Sequence, residues 1–173
     1  MTAITDTPTN KNFLSPLNFK FTIQRAPHVN FFIQKVNIPG LALTIVDVPN
    51  PIINIPFAGD HLNYEELEII FKVDEDLQNY LEIHNWVRGL GRLNPSDYYS
   101  LQSAPIYGGN GIRSDISLSI LNSNRNPNYE IVFKDAMPIS ISSITFDTTM
   151  EDVNFVEATA VFRYINFDIS KIS

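Results

Sequence analysis

The chain has 173 residues and no cysteine, and its 12 basic and 19 acidic residues give a net charge of -7. This length suits one domain that buries roughly 70% of the surface its unfolded form exposes. The lack of cysteine excludes disulfides, thiolate metal sites and cysteine nucleophiles. The acidic balance disfavours tight binding to nucleic-acid phosphates, which requires concentrated Lys and Arg.

The first twelve residues are polar and rich in Thr and Asn, with no apolar periodicity. We predict that residues 1–12 form an arm that is disordered or ordered only by partners, and that residues 13–173 form a single domain. The segment lacks the apolar core of a secretion signal, and no window reaches the roughly 18 apolar residues of a membrane span. The sequence therefore predicts a soluble protein that the usual signals do not export.

Two strands are predicted at the start of the domain. Apolar and polar residues alternate from Leu17 to Gln24, which is the period of a half-buried strand. A second strand is predicted from Phe31 to Ile38, where the turn residues Pro39 and Gly40 close it.

The next segment, Leu41 to Asp60, interrupts its β-branched residues with Pro49, Pro51 and Pro56. Proline cannot donate to a sheet ladder, so we predict an extended edge or a projecting arm here rather than a central strand. The apolar residues of this arm either fold back on the core or dock on another subunit. These residues are Ile45, Val46, Val48, Ile52, Ile53 and Ile55.

Residues 58–76 contain seven carboxylates, which raises the question of a catalytic or metal-binding cluster. Alternation from Tyr64 to Val73 instead predicts a strand with one apolar face. The polar face of that strand then holds Glu66, Glu68 and Lys72. A solvated strand face therefore accounts for the glutamates without any chemistry.

A helix is predicted over about residues 75–90, where apolar residues recur at helical spacing up to Gly89 and Gly91. Asp74 is predicted to be its N-cap, because a carboxylate there can accept hydrogen bonds from the first free N–H groups. Negative charge in the following turn also interacts favourably with the helix dipole. The remaining acidic residues of the cluster thus mark the start of a helix.

The C-terminal half returns to strands after a loop predicted from Arg92 to Ile112, a length typical of functional or flexible loops. Strands are predicted over residues 114–121 and 129–146, the latter broken at Met137 and Pro138, and over 153–169. The last strand alternates imperfectly, as expected if it is covered on both sides or bends. The predicted fold class is mainly β (α+β), with six or seven antiparallel strands in a barrel or sandwich and one flanking helix.

The sequence contains no recognisable motif for catalysis, metal binding or cofactor binding, so no residue is assigned to any of these roles. The segment from Asp74 lacks the central Gly of a calcium loop, and the three histidines form no metal-binding pair. Two carboxylates on one strand face, Glu66 and Glu68, leave an acidic β-domain enzyme as an alternative. Long strands and an apolar arm favour a protein that assembles.

The order of these segments resembles the tail tube protein of contractile-tailed bacteriophages, whose fold is shared with the haemolysin-coregulated tube protein of type VI secretion. The resemblance lies in "FIQKVNIPG" (32–40), in an arm that ends in "AGD" (58–60), and in "YEELEIIFKVDEDLQNYLEIHNWV" (64–87). It continues in "IVFKDAMPISISSITFD" (131–147) and in the closing "VEATAVFRY" (156–164). The segments together span about residues 13–167.

The resemblance implies a non-enzymatic structural subunit of a phage tail, assembled in the host cytoplasm and located in the virion. Homo-hexameric rings would stack into a tube, with the arm docked on the adjacent ring and with sheath, tape-measure and baseplate proteins as partners. DNA would pass through an acidic lumen, lined by Glu66, Glu68 and Lys72, without specific binding, and no cofactor is implied. The same resemblance fits a baseplate or tail-terminus adaptor.

Overall fold

The computed structural model describes residues 12–103, 111–149 and 155–172. Within them, the helices are α1 (Pro27–Phe32), α2 (Gln78–Leu90) and α3 (Pro95–Ser103). The strands are β1 (Phe19–Ile23), β2 (Ile33–Val36), β3 (Leu41–Val48), β4 (Ile55–Tyr64), β5 (Leu67–Lys72), β6 (Ser114–Leu121), β7 (Pro127–Ile141), β8 (Glu157–Arg163) and β9 (Asn166–Lys171). The mainly antiparallel β class predicted from the sequence is confirmed.

The strands form a seven-stranded sheet and a separate two-stranded hairpin, β3–β4. The main sheet runs in the order β1-β6-β7-β8-β5-β2, and β9 also pairs with β7. Every pairing is antiparallel. Strands β1 and β2 are the two ends of this order and do not pair with each other, so the described part of the chain does not form the closed barrel that was one of the expected architectures.

A bulge in β7 joins two half-sheets. The first part of β7 pairs with β6 and β9, and its last part pairs with β8. From Phe133 to Ala136, β7 contains one residue more than the segment of β6 that faces it. Asp135, within this bulge, has a φ of 54°. The Asp135 N–H donates to the Asp115 carboxylate at 3.0 Å. Because a shift of one residue reverses which face a side chain points to, the bulge keeps both Phe133 and Ala136 buried.

One hydrophobic core joins both half-sheets to α2. Trp86 of α2 packs with its ring centroid 6.1 Å from that of Phe162, and its indole N–H donates to the carbonyl of Ile112 at 2.9 Å. The Arg25 guanidinium lies over the same indole, 5.1 Å from the ring centroid. The largest fully buried side chains are Trp86, Phe71, Phe133, Phe162, Ile23, Leu67, Ile69, Ile83, Ile116, Ile131, Val29 and Asn79.

The start of α2 differs from the prediction. The helix begins at Gln78, and Leu77 rather than Asp74 occupies the N-cap position, in the left-handed region with a φ of 57°. The carbonyl of Asp74 closes a tight turn by accepting the Leu77 N–H at 3.0 Å. The buried Asn79 side chain then donates to the carbonyl of Lys72 at 2.8 Å and accepts the Asp74 N–H at 3.3 Å. The Asp74 carboxylate still accepts the Asn79 N–H at 3.4 Å, so Asp74 contributes to the helix start from outside the N-cap position, together with the buried asparagine.

Two helices were not predicted. Helix α1 covers Phe31 and Phe32, so the strand expected from Phe31 begins at Ile33. Its first residue is Pro27, at a position where the missing proline N–H costs nothing. Helix α3 lies in the segment predicted to be a loop, and no apolar stripe marks it because none of its side chains is fully buried.

The C-terminal strands also divide differently. The strand predicted over 153–169 is two strands, β8 and β9, separated by Tyr164 and Ile165, and residues 153 and 154 lie outside the described residues. Both run along the same edge of β7, which bends at its bulge, so the neighbouring strand breaks there too. The break expected at Pro138 is instead a register shift within a continuous β7.

Among the described residues, no helix is long and apolar enough to cross a membrane.

We predict that the two faces of β5 differ sharply in their contribution to stability. Phe71 is fully buried, so Phe71→Ala should lower the free energy of unfolding by about 3 to 5 kcal/mol, because it leaves a cavity. The neighbouring Ile70 points to the opposite face and is only half-buried, so Ile70→Ala should cost clearly less. Urea denaturation of the purified protein measures both, and equal losses would contradict this assignment of faces.

Candidate functional site

The β3–β4 hairpin projects from the sheet as a continuation of the β2–β5 pair. Every residue of β3 is exposed, and eight of the ten residues of β4 are exposed as well. The strands are paired from Leu41 opposite Tyr64 to Val48 opposite Ile55. At about 3.4 Å per residue, the 8 residues of β3 extend roughly 27 Å from the sheet. The predicted projecting arm is therefore a hairpin, and Pro56 lies at its outer end within β4.

The hairpin is apolar on both faces. Residues directly opposite in an antiparallel pair share a face. One face therefore carries Leu43 with Leu62, together with Leu41 and Ile45, and the other carries Val46 with Phe57. Val48 with Ile55 extends the second face to the outer end of the hairpin. No other element of the described chain covers either face, because all these side chains are exposed.

The exposed apolar surface is larger than a monomer usually carries. The side chains involved are Leu41, Leu43, Ile45, Val46, Val48, Ile52, Ile53, Ile55, Phe57 and Leu62, with Ile52 93% exposed and Ile53 67% exposed. Together they present on the order of 1,000 Å², whereas the largest apolar patch of a typical monomer is about 300 to 600 Å². An isolated two-stranded hairpin is also only marginally stable in water. Both arguments indicate a surface that a partner covers.

The six residues predicted for the docking arm all lie on this hairpin: Ile45, Val46, Val48, Ile52, Ile53 and Ile55. The alternative that they fold back on the core does not hold for the described structure, since each is exposed. Sequence reasoning missed Leu41, Leu43, Phe57 and Leu62. Alternation at Leu41, Leu43 and Ile45 is a signal that could have found the first two.

Contacts with the main sheet hold the base of the hairpin. The Glu65 carboxylate accepts the Gly40 N–H at 3.0 Å, and the Glu65 N–H donates to the Gly40 carbonyl at 3.1 Å. A Cβ on Gly40 would lie 2.7 Å from the Glu65 carboxylate, so a larger residue here would displace this side chain from its hydrogen bond. The Tyr64 ring packs edge-on against Tyr164 and Phe167, with centroids 5.9 and 5.7 Å away. The base is thus anchored while the outer part is uncovered.

The "AGD" segment shapes the middle of the hairpin. Between Leu43 and Ile45 the register shifts, so that three residues of β4, 59 to 61, lie opposite Thr44 alone. A Cβ on Gly59 would lie 2.6 Å from the Thr44 carbonyl oxygen, so the two strands approach too closely for a side chain. Gly59 therefore permits the bulge that bends the hairpin.

The residues predicted to line a lumen lie on the outward side of β5. Glu68 and Lys72 alternate with its buried residues, and Glu66 immediately precedes the strand. Arg163 lies beside Glu66, with 3.4 Å between its Nε and a carboxylate oxygen. Lys35 and Glu157 occupy the same face through their pairing with β5. Among the described residues, this patch therefore carries equal numbers of acidic and basic side chains. The acidic ones are Glu66, Glu68 and Glu157, and the basic ones are Lys35, Lys72 and Arg163.

This patch does not resemble a catalytic carboxylate pair. Glu66 is 45% exposed at its side chain and is engaged with Arg163, and Glu68 is exposed. A catalytic pair requires a cleft in which burial raises one carboxyl pKa. In the part of the chain that is described, no group of three or more His, Asp and Glu side chains could hold a metal ion.

Comparison with known proteins identifies the fold. No family model and no curated protein matches the sequence. The chain is similar to the tube-terminating cap of the anti-feeding prophage, with a TM-score of 0.63 at 12% identity over 99% of this chain and 100% of that one. A chain of the anti-feeding prophage baseplate gives 0.61 at 15% identity over 88% and 90%.

A third match is a chain of the PVC sheath-tube complex of an extracellular contractile injection system. Its TM-score is 0.59 at 12% identity, covering 96% of this chain and 100% of that one. The protein therefore has the fold shared by tube, cap and baseplate proteins of contractile injection systems. The tail-tube-like fold that the sequence resemblance predicted is confirmed.

The anchored base generates a prediction about pH. Burial raises the pKa of Tyr164 to about 12, and its hydroxyl donates to the Glu65 carbonyl at 2.8 Å. A pKa above the unfolded value means that the native state holds this proton longer, so its stabilising contribution is complete below about pH 10. It should be lost between about pH 10 and 12 as Tyr164 ionises.

Spectrophotometric titration of tyrosinate checks this expectation. The native protein should show a late-titrating tyrosine component, and Tyr164→Phe should remove that component. The exposed Tyr99 provides the control, because Tyr99→Phe should leave the late component in place. A late component that survives Tyr164→Phe would contradict the assignment.

Proposed function

We propose that the protein is a non-enzymatic structural subunit of a contractile tail tube, which assembles into stacked hexameric rings around a hollow lumen. The observation that carries this proposal is the projecting hairpin, apolar on both faces, on a domain with the tube, cap and baseplate fold. A subunit that assembles covers such a surface, whereas a monomer leaves it in water. The hairpin docks on the adjacent ring.

The shape of the hairpin favours docking with little loss of entropy. The loop between β3 and β4 contains Pro49 and Pro51, which restrict the backbone before any partner binds. The base is already ordered by Tyr64 and Glu65. A preorganised, apolar element gives up less freedom on association than a flexible loop, so more of the burial energy contributes to assembly.

We propose that the outward face of β5, with Glu66, Glu68 and Lys72, lines the lumen. Its matched charges revise the expectation of an acidic wall, since basic side chains stand beside the carboxylates. A wall of compensated charge neither concentrates nor strongly repels a polyanion. DNA then passes on ejection without specific binding. Sheath, tape-measure and baseplate proteins complete the particle, a virion assembled in the host cytoplasm.

A second candidate keeps the fold but places the protein at one end of the tube. The chain overlaps almost completely with a tube-terminating cap and substantially with a baseplate chain. In such a role one ring forms on each tube, and the hairpin docks on a different protein or on the last tube ring. The two roles differ in whether rings of the purified protein stack on each other.

Assembly should depend on the tip of the hairpin. Ile53 is 67% exposed, so Ile53→Asp should leave the fold intact but place a charge where an apolar contact forms. Stacked rings of the native protein, seen by negative-stain microscopy, should be lost in this variant. The matched control is Asn54→Asp, which adds the same charge at the next residue without removing apolar surface, and it should still assemble.

The microscopy outcomes separate the candidates. Stacked tubes support the main proposal, and single rings that do not stack support the terminal adaptor. A stable monomer at high concentration overturns both. Tubes that form equally well with Ile53→Asp would contradict the docking role of the hairpin, whatever the role of the protein in the particle.

The lumen assignment predicts size-selective labelling. The chain has no cysteine, so Glu68→Cys introduces a single thiol on the outward face of β5. In assembled tubes, a small maleimide should label it, whereas a maleimide on a large polymer should label it far more slowly. The unassembled subunit is the control, and both reagents should label it. Equal labelling of tubes by both reagents would place this face on the outside.

A further inference from the structure

A groove with polar and apolar lining residues lies between the two ends of the main sheet. Strands β1 and β2 are these two ends, and a cavity of about 730 Å³ lies between them and α1. A second cavity of about 300 Å³ continues from it, and both are lined by Pro16, Phe19 and Gln34. We call this continuous feature the seam groove. It is defined by the lining residues of the two cavities, which include Leu17, Lys20, Phe31, Lys35 and Ile38.

The edge of β1 that borders the seam groove is open to another strand. The N–H and C=O of Ile23 point away from β6 and pair with the Asn30 side chain, at 2.7 and 3.1 Å. Alternate residues of a strand direct their backbone groups to the same side. Phe19 and Phe21 therefore present theirs to the same edge, where no strand of the described chain pairs with them. An added strand could satisfy these groups.

The rim of the seam groove is apolar. Leu17 and Phe31 are each 85% exposed at its entrance, and Ile38 is also exposed. Large exposed side chains beside a groove are typical of surfaces that bind a partner. The site thus combines apolar contact with backbone hydrogen bonding, which is the combination that recognises an extended strand.

We propose that the seam groove receives the β3–β4 hairpin of a second copy of this chain, an inference that rests on the proposed assembly and names the surface on which the hairpin docks. The hairpin needs cover on both faces and has free outer strand edges. The seam groove offers apolar walls from two elements, β1 with α1 on one side and β2 on the other. A hairpin inserted there is contacted on both faces.

The charges of the two surfaces are complementary. Residues 41–64 contain Asp47 and Asp60 and no Lys or Arg. The charged side chains that line the seam groove are Lys20 and Lys35, both exposed, and Lys35 lies where the groove borders the outward face of β5. Opposite charge at the rim favours association with the hairpin and opposes pairing of two grooves or of two hairpins.

The arrangement also sets the symmetry of the assembly. The hairpin and the seam groove are different surfaces of the same chain, so the contact is head-to-tail. Each copy donates one hairpin and accepts another, which generates a ring or a helical stack rather than a closed two-fold dimer. The residues of the hairpin tip should then lie near those of the groove rim only between copies.

Cysteine cross-linking tests the proposal directly, because the native chain has no thiol. Ile53→Cys at the hairpin tip and Phe31→Cys at the groove rim are made as two single variants, mixed under assembly conditions and oxidised. A covalent dimer should appear in the mixture. The matched control replaces Phe31→Cys by Tyr99→Cys, which places an exposed thiol on α3, away from the groove, and this mixture should lack the dimer.

Combining both changes in one chain sharpens the test. A head-to-tail contact should then yield a ladder of trimers and higher multimers, whereas a two-fold contact stops at the dimer. Negative-stain microscopy of the same samples reports assembly independently. Stacked rings that form without the cross-link overturn the seam groove as the docking surface and leave the proposed function standing. Single rings without the cross-link also overturn the seam groove and favour the terminal adaptor. The absence of both rings and cross-link overturns the two together.

The same cross-linking experiment would also detect a different occupant of the seam groove. If the first residues of the chain fill the groove, a thiol introduced by Thr5→Cys should cross-link to Phe31→Cys and the hairpin thiol should not. That result overturns the proposal. The expected result is the reverse, with the cross-link confined to the pair formed by the hairpin tip and the groove rim.

Discussion

The large exposed apolar surface of the hairpin is the physical constraint that the rest of the fold has to accommodate. The hairpin exposes on the order of 1,000 Å² of large apolar surface, more than its own two strands can cover. Its base is held rigidly by Gly40, Tyr64 and Glu65, so the surface projects at a defined place. The domain core is complete without the hairpin, so folding of the domain does not require the hairpin to be covered.

The remainder of the fold positions that surface and leaves a groove between β1 and β2. The β2–β5 pair continues directly into the hairpin, while the bulge at Asp135 bends β7 so that both half-sheets bury the same core. Helix α1 separates β1 from β2 along the chain, and the sheet remains open between these two strands. The projecting hairpin and the open seam are therefore two consequences of one strand order.

Much of the fold could be predicted from local patterns. Alternation correctly located β1, β5 and β6, and helical spacing located α2. The errors share a cause, since each concerns an element whose form depends on a specific contact that no hydrophobic period marks. Helix α1 is closed onto β1 by Asn30, the start of α2 depends on the buried Asn79, and β8 and β9 separate because β7 bends beside them. No local period carries that information.

Local sequence patterns establish that the chain is mainly β, that an apolar arm interrupted by proline projects from it, and that Glu66 and Glu68 belong to a polar strand face. These features follow from the alternation of side chains and from the missing N–H of proline, which act over a few residues. Three further features are visible only in the folded chain. The arm is a hairpin with both faces uncovered, basic side chains lie beside the glutamates, and a groove separates β1 from β2. Each of these depends on which strands pair, and pairing is fixed by packing across the whole chain.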